Sequence, residues 1–308
     1  MVPFVYSTET KAGEPAAAGV VLVADPFEPF CVKDKVPLYP MPADASRKLR
    51  DQPISQTTLR PDLLPHGQKI LGTIGFIVNS VRPDGYFAYC VLAAYCNALH
   101  LSEYVFRLII RLGRYIANTA DMSLTLHSEP PCPVGVERVG VDLYRTFVDS
   151  SHGNASEGRS YGGFVDLCKG GGALAWKCAA PAAGDDSSGA AELRMGTLAL
   201  KYIVGLRTIQ RDLAVAVGPT VPTVLFTDAQ ALIDGTGCER LQKSSRWMAS
   251  RYAMIRWGLR CGTIDLQKVP AEDNCADIVT KCLTGAIFRK HRATILGLQP
   301  LGLVKGRE

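Results

Sequence analysis

Apolar residues recur at helical spacing in one part of the chain and fall into short runs or alternation in another. Ile70, Leu71, Ile74, Ile77 and Val78 lie three and four positions apart, which predicts a helix starting near residue 68. Arg82-Pro83-Asp84 interrupts it, because the residue before a proline avoids the helical region. A second apolar helix is predicted over 86–99. Ser102-Glu103 has the chemistry of a helix start, and Leu108, Ile109, Leu112 and Ile116 carry a third helix to about residue 118. Its other face carries Arg107, Arg111 and Arg114, either a solvated face or a set of contacts to a nucleic-acid backbone.

From residue 143 the pattern changes to strands over 144–148, 159–167 and 173–178. Turns rich in Gly, Ser and Asn join them, which predicts an antiparallel meander. A long helix follows over 190–217, then a buried strand over 223–227 and a helix from residue 229. An amphipathic basic helix spans 245–260, a strand 263–269, and short helices 277–282 and 287–296. The order βββ-α-β-α-β-α predicts an α/β fold with a mixed five-stranded sheet flanked by helices, preceded by a small helical segment. Residues 1–65 hold prolines at 37, 40, 42, 53, 61 and 65 without a sustained period, the pattern of an extended, partly disordered arm.

Composition changes this picture little. The 308 residues carry a formal net charge of +5, compatible with a nucleic-acid partner but not specific for one. Ten cysteines are scattered with no C-x-x-C pair and no zinc-type spacing, which points to free thiols in a reducing, intracellular compartment, cytoplasmic or nuclear. The apolar run at 16–24 is too short to span a bilayer, so neither a signal peptide nor a membrane helix is expected.

The candidate chemistry lies in four carboxylates. Asp149 follows the apolar pair Phe147-Val148 at a strand end, and Glu192 sits in the first turn of the long helix, where the dipole favours negative charge. Asp228 ends the fourth strand, and Asp277 begins a helix after the fifth. Singly, Asp228 and Asp277 also fit helix caps, and Asp149 a turn aspartate. Jointly, strand ends and helix starts can meet at one sheet edge, and carboxylates that converge there cannot all ionise without cations such as Mg²⁺ or Mn²⁺. Lys177, Arg194, Arg246, Arg251 and Arg256 are candidates for phosphate contact. His152, three residues after Asp149, reads as a turn histidine.

These segments resemble the ribonuclease H domain of copia-type long-terminal-repeat retrotransposon Pol polyproteins. The family's Tyr-Ser-Asp-Ala-Asp is similar to Phe147-Val148-Asp149-Ser150-Ser151, and its Gly-Gly-Gly-Ala-Ile-Ser-Trp-Lys to the stretch from Gly170 to Lys177. Its Ser-Ser-Thr-Glu-Ala-Glu-Tyr resembles the stretch from Ser187 to Leu193, and its Cys-Asp-Asn-Gln-Ser-Ala the stretch from Thr227 to Ala231. The most specific match is its Val-Pro-Thr-Glu-Asp-Gln-Leu-Ala-Asp-Ile-Leu-Thr-Lys, which is close to residues 269–281. Leu71-Gly72-Thr73, Arg82-Pro83-Asp84 and residues 111–116 resemble the segment joining that family's reverse transcriptase to its ribonuclease H domain.

The resemblance implies a ribonuclease H-like domain over 140–298, a connection over 66–130, the arm over 1–65 and a tail over 299–308. It implies hydrolysis of the RNA strand of RNA–DNA hybrids, with the rest of a Pol polyprotein as a further partner. Asp149 would bridge two Mg²⁺ or Mn²⁺ ions roughly 4 Å apart. Glu192 and Asp228 would complete one ion's shell, and Asp277 would hold the other. The chain departs from the family where Lys-His-Ile is replaced around Arg246-Trp247-Met248 and where Ala-Asp-Trp-Ala has become Ser-Ser-His-Gly. No histidine lies between Asp228 and Asp277, and no Tyr-x-Asp-Asp motif is present; Asp185-Asp186 lacks flanking strands. The chain therefore reads as a fragment or decayed copy unable to polymerise, whose alternatives are a non-catalytic nucleic-acid-binding remnant of the same fold and an unrelated α/β protein whose acids are caps and turns.

Overall fold

A computed structural model describes residues 37–51, 58–127, 144–151, 160–180, 187–213, 221–238 and 243–298. His152 and Asp185-Asp186 lie outside this set, as do residues 1–36 of the arm and the tail from 299. Within the arm, Ala45–Asp51 forms helix α1 rather than extended chain. Proline lies before this stretch at 42 and after it at 53, so neither breaks it. Met41, Ala45 and Leu49 are buried against the helices that follow.

Helix α2 runs Leu64–Ser80, starting earlier than the apolar period suggests, because Pro65 in the first turn lacks only an N–H that has no helical acceptor there. Helix α3 (Tyr86–Tyr95) stops short of residue 99, where Asn97 turns the chain by donating to the Ala94 carbonyl and accepting from Leu99 N. Helix α4 (Glu103–Asn118) is capped by Ser102 Oγ, which accepts from Val105 N at 3.2 Å. At the break between α2 and α3, Arg82 and Asp84 form a buried pair at 2.8 and 2.9 Å. Tyr115 donates to Asp84 at 2.5 Å, and Arg82 donates to the carbonyl and hydroxyl of Thr119. That network locks the α2–α3 corner to the end of α4.

The sheet has the order β3-β2-β1-β4-β5, with β1 Tyr144–Ser151, β2 Tyr161–Cys168, β3 Ala173–Ala179, β4 Thr223–Thr227 and β5 Ile264–Lys268. The first three strands pair antiparallel, whereas β1 with β4 and β4 with β5 pair parallel. This is the mixed five-stranded sheet flanked by helices that the sequence predicts. On one face α5 (Ser188–Asp212), α6 (Gln230–Gly237) and α7 (Ala249–Arg260) bury Leu193, Leu232 and Ile255 against Val148, Phe164 and Leu225. On the other face the buried side chains of α2 to α4 and of α8 (Gly285–Leu296) share one cluster with Val165, Leu167 and Cys178. Trp176 in β3 donates to the Val78 carbonyl at 2.9 Å, so the preceding helical segment is seated on the sheet itself. Among the described residues no helix is long and apolar enough to cross a membrane.

Two buried polar groups give testable energetics. Asp84→Ala strands the Arg82 guanidinium and is expected to cost about 3–5 kcal/mol in urea unfolding, whereas replacing both Arg82 and Asp84 by apolar residues costs far less. Asp166, within β2, accepts from Thr146 Oγ1 at 2.5 Å, and burial pushes its carboxyl up to about 7. The folded carboxyl thus holds its proton to higher pH than the unfolded one, whose ordinary value is 3.8, so stability falls as pH rises between the two values. Asp166→Asn removes this loss: from pH 4 to pH 8 its stability relative to wild type should rise by up to about 4 kcal/mol.

Candidate metal centre

The parallel register of β1 and β4 positions the first two acids. Val148 lies opposite Thr227, so the residues that follow, Asp149 and Asp228, emerge side by side. β1 continues to Ser151, which places Asp149 inside the strand rather than at its end. Ser187 caps α5 by accepting from Ala190 N at 3.2 Å, and Glu192 in the early turns of that helix reaches the same edge. Its Oε1 accepts from Ser150 N at 3.1 Å and from Ser150 Oγ at 3.0 Å. One carboxylate oxygen from each of Asp149, Glu192 and Asp228 comes within 4.8 Å of the others, a spacing that one ion can bridge.

Burial and mutual repulsion set the electrostatics. Asp149 is 2% exposed and Glu192 7%. Burial, then the charges of Asp149 and Asp228, push the Glu192 carboxyl up to about 8. Glu192 Oε2 is buried with no hydrogen-bond partner. An acceptor in that state lacks what a cation supplies, so the residues present fit a divalent ion. Burial also raises Asp149, with Asp277 adding to the shift while Lys281 and Thr280 oppose it.

Asp277 stands outside the three whose oxygens lie within 4.8 Å of one another, but it adjoins them: burial raises its carboxyl, and the charge of Asp228 adds to the shift while Lys281 opposes it. Asp277 lies in a 3-10 turn, Cys275–Val279, rather than at the start of an α-helix. Asn274 caps the turn by accepting from Ala276 N, and its amide donates to the Val148 carbonyl at 3.0 Å and to Asp228 Oδ1 at 3.3 Å. Lys281 Nζ lies 2.7 Å from Asp277 Oδ1 and 3.3 Å from Asp149 Oδ1, and Thr280 Oγ1 donates to Asp149 Oδ2. Desolvation pulls the Lys281 ammonium down, but the charges of Asp149 and Asp277 outweigh it and raise it above the usual lysine value. The turn packs this closely because Gly163 stands opposite Asp149. A Cβ there would meet the Lys177 carbonyl at 2.6 Å and Val279 Cγ2 at 2.8 Å.

Sequence reasoning gave no role to Ser150, Asn274, Thr280 or Lys281. Two advance signals existed: the four-residue spacing of Asp277 and Lys281, which on a helical turn makes an ion pair, and the place of all four residues inside the stretches matched to the resembled family. Among the basic candidates, Arg256 donates to the carbonyls of Gly235 at 2.9 Å, Thr236 at 3.0 Å and Cys238. It caps α6, whose last carbonyls have no helical donor, and so serves the fold. Arg194 donates to the Ser160 carbonyl at 3.4 Å. Lys177 is half-buried in β3 opposite Phe164, Arg246 is exposed and Arg251 is half-buried.

No family model matches the chain, and no curated protein matches its sequence. Solved structures similar to it include LC11-RNase H1 in complex with an RNA/DNA hybrid, at 14% identity and a TM-score of 0.33, over 42% of this chain and 88% of that one. RNase H1 from the halophilic archaeon Halobacterium salinarum NRC-1 is similar at 18% identity and a TM-score of 0.30, over the same shares. At this level of likeness the fold assignment stands on the strand order and pairing of the chain itself.

Because Glu192 holds its proton up to about pH 8, a divalent ion binding at neutral pH must displace it. Calorimetric Mg²⁺ or Mn²⁺ titrations in two buffers of different ionisation enthalpy should show close to one proton released per ion at pH 7. Affinity should climb by up to about ten-fold per pH unit between pH 6 and 8 and level off above. Glu192→Gln should weaken binding and flatten that dependence.

Proposed function

We propose that the chain is a divalent-metal-dependent ribonuclease H-like endonuclease that cleaves the RNA strand of RNA–DNA hybrids, and that it derives from a copia-type retrotransposon Pol polyprotein. The observation that carries this reading is the meeting of Asp149, Glu192 and Asp228 within 4.8 Å at one sheet edge, with Glu192 Oε2 buried and partnerless. The close match of residues 269–281 to the family's most specific stretch supports the retrotransposon origin.

In this reading Asp149, Glu192 and Asp228 hold the metal. The chemistry such an ion would supply is a lowered pKa for an attacking water and an offset to the negative charge growing on the phosphoryl oxygens. The chain's own contribution is placement. Ser150 holds Glu192 by donating to its Oε1 from both the backbone N–H and the hydroxyl. Asn274 ties Asp228 to the backbone of Val148, and Thr280 fixes the rotamer of Asp149. The acids act as ligands rather than as bases. Recognition rests on the helical geometry of the hybrid and on ribose 2′-hydroxyls, so cleavage should show weak sequence preference.

One observation favours a second reading, a nucleic-acid-binding remnant without catalysis: Lys281 already places a positive charge between Asp149 and Asp277. Incubation with a labelled RNA–DNA hybrid and Mg²⁺ separates the two. The nuclease reading expects scission of the RNA strand, none of the DNA strand, and a loss of at least about a hundred-fold in Asp149→Asn. A hybrid that is bound but left whole, or cut equally by wild type and variant, supports the remnant.

A further inference from the structure

The four acids fall into two electrostatically different halves. In the first, Glu192 Oε2 is buried without a partner. In the second, both oxygens of Asp149 and Oδ1 of Asp277 are already engaged. Thr280 Oγ1 donates to Asp149 Oδ2, and the Lys281 ammonium lies between Asp149 Oδ1 at 3.3 Å and Asp277 Oδ1 at 2.7 Å. The lysine is held there from both ends. Its backbone N–H donates to the Asp277 carbonyl at 2.9 Å, so the main chain aims the side chain back over the turn. Its side chain is 34% exposed, against 3% for Asp149 and 13% for Asp277, so the stem descends from the rim and the head group enters the cluster.

A second divalent ion shared by Asp149 and Asp277 would need the space between their oxygens, where the ammonium stands. A doubly charged ion beside that ammonium is repelled, and the burial of Asp149 leaves the repulsion less screened than at an open surface. We infer that Lys281 is a positioning residue that takes the place of a second cation, so that the protein without nucleic acid binds one divalent ion, on Asp149, Glu192 and Asp228, and admits another only when the ammonium withdraws. This rests on the reading of those three acids as a cation site. It departs from the arrangement in which Asp277 is a metal ligand: here Asp277 anchors the lysine.

The test is a Mn²⁺ titration of the full chain without nucleic acid, counted by electron paramagnetic resonance and by calorimetry, on wild type, Lys281→Arg and Lys281→Met. Wild type and Lys281→Arg should each take one ion. Lys281→Met should take two, the second on the order of ten-fold more tightly than any second ion in Lys281→Arg. Lys281→Gln, whose amide can still donate to Asp277, replaces Lys281→Met if that variant does not fold, with the same two-ion expectation. A purely structural role for Lys281 would leave the count unchanged on its removal. Two ions in wild type, or one ion in all variants, overturns the role given to Lys281 and leaves the three-acid site standing. No ion in any of them instead overturns the cation-site reading.

Discussion

The structure turns on the repulsion among buried carboxylates held within a few ångströms of one another at one sheet edge. Water would relieve it, but Asp149 and Glu192 are almost wholly enclosed. The surrounding side chains relieve it only in part. Ser150 donates twice to one oxygen of Glu192, Asn274 donates to Asp228, and Thr280 with Lys281 satisfies Asp149. The remaining demand sits on Glu192, whose carboxyl keeps a proton to about pH 8. Such a cluster costs stability unless a cation enters, and that cost is the physical support for the cation-site proposal.

The frame that enforces the cluster is the sheet, covered on both faces. Parallel pairing of β1 with β4 sets Asp149 beside Asp228, and α5 crosses one face to deliver Glu192. The other face is covered by the preceding helices and α8, with the 3-10 turn that carries Asp277 buried among them. The helical segment therefore shares a core with the sheet, and the buried Arg82–Asp84–Tyr115 network fixes its corner. Loosening that segment would loosen the packing beneath the turn and thus the second half of the acidic site.

Much of this was legible in the sequence because each signal was local. Helical spacing over residues 70–78, the Pro83 break and the Ser102 cap predict elements that form. The strand and helix order predicts the mixed sheet, and Asp149, Glu192 and Asp228 were singled out by their places at strand ends and a helix start. What was not legible depended on contacts between distant parts of the chain. Asp277 looks like a helix start, yet its turn is bent over Gly163 and its carboxylate is taken by Lys281. Arg256 looks like a basic face, yet it closes the end of α6. Prolines around residues 45–51 suggest extended chain, but Ala45 and Leu49 find a buried surface that no local pattern reveals.

The central claim is that three side chains from β1, β4 and α5 make one cation site. Crystals soaked in Mn²⁺, with anomalous differences measured at the manganese edge, test it most directly. The account predicts a peak at about 2.1–2.2 Å from oxygens of Asp149, Glu192 and Asp228 together. A map with no peak at that edge of the sheet, while manganese binds elsewhere on the molecule, would contradict it.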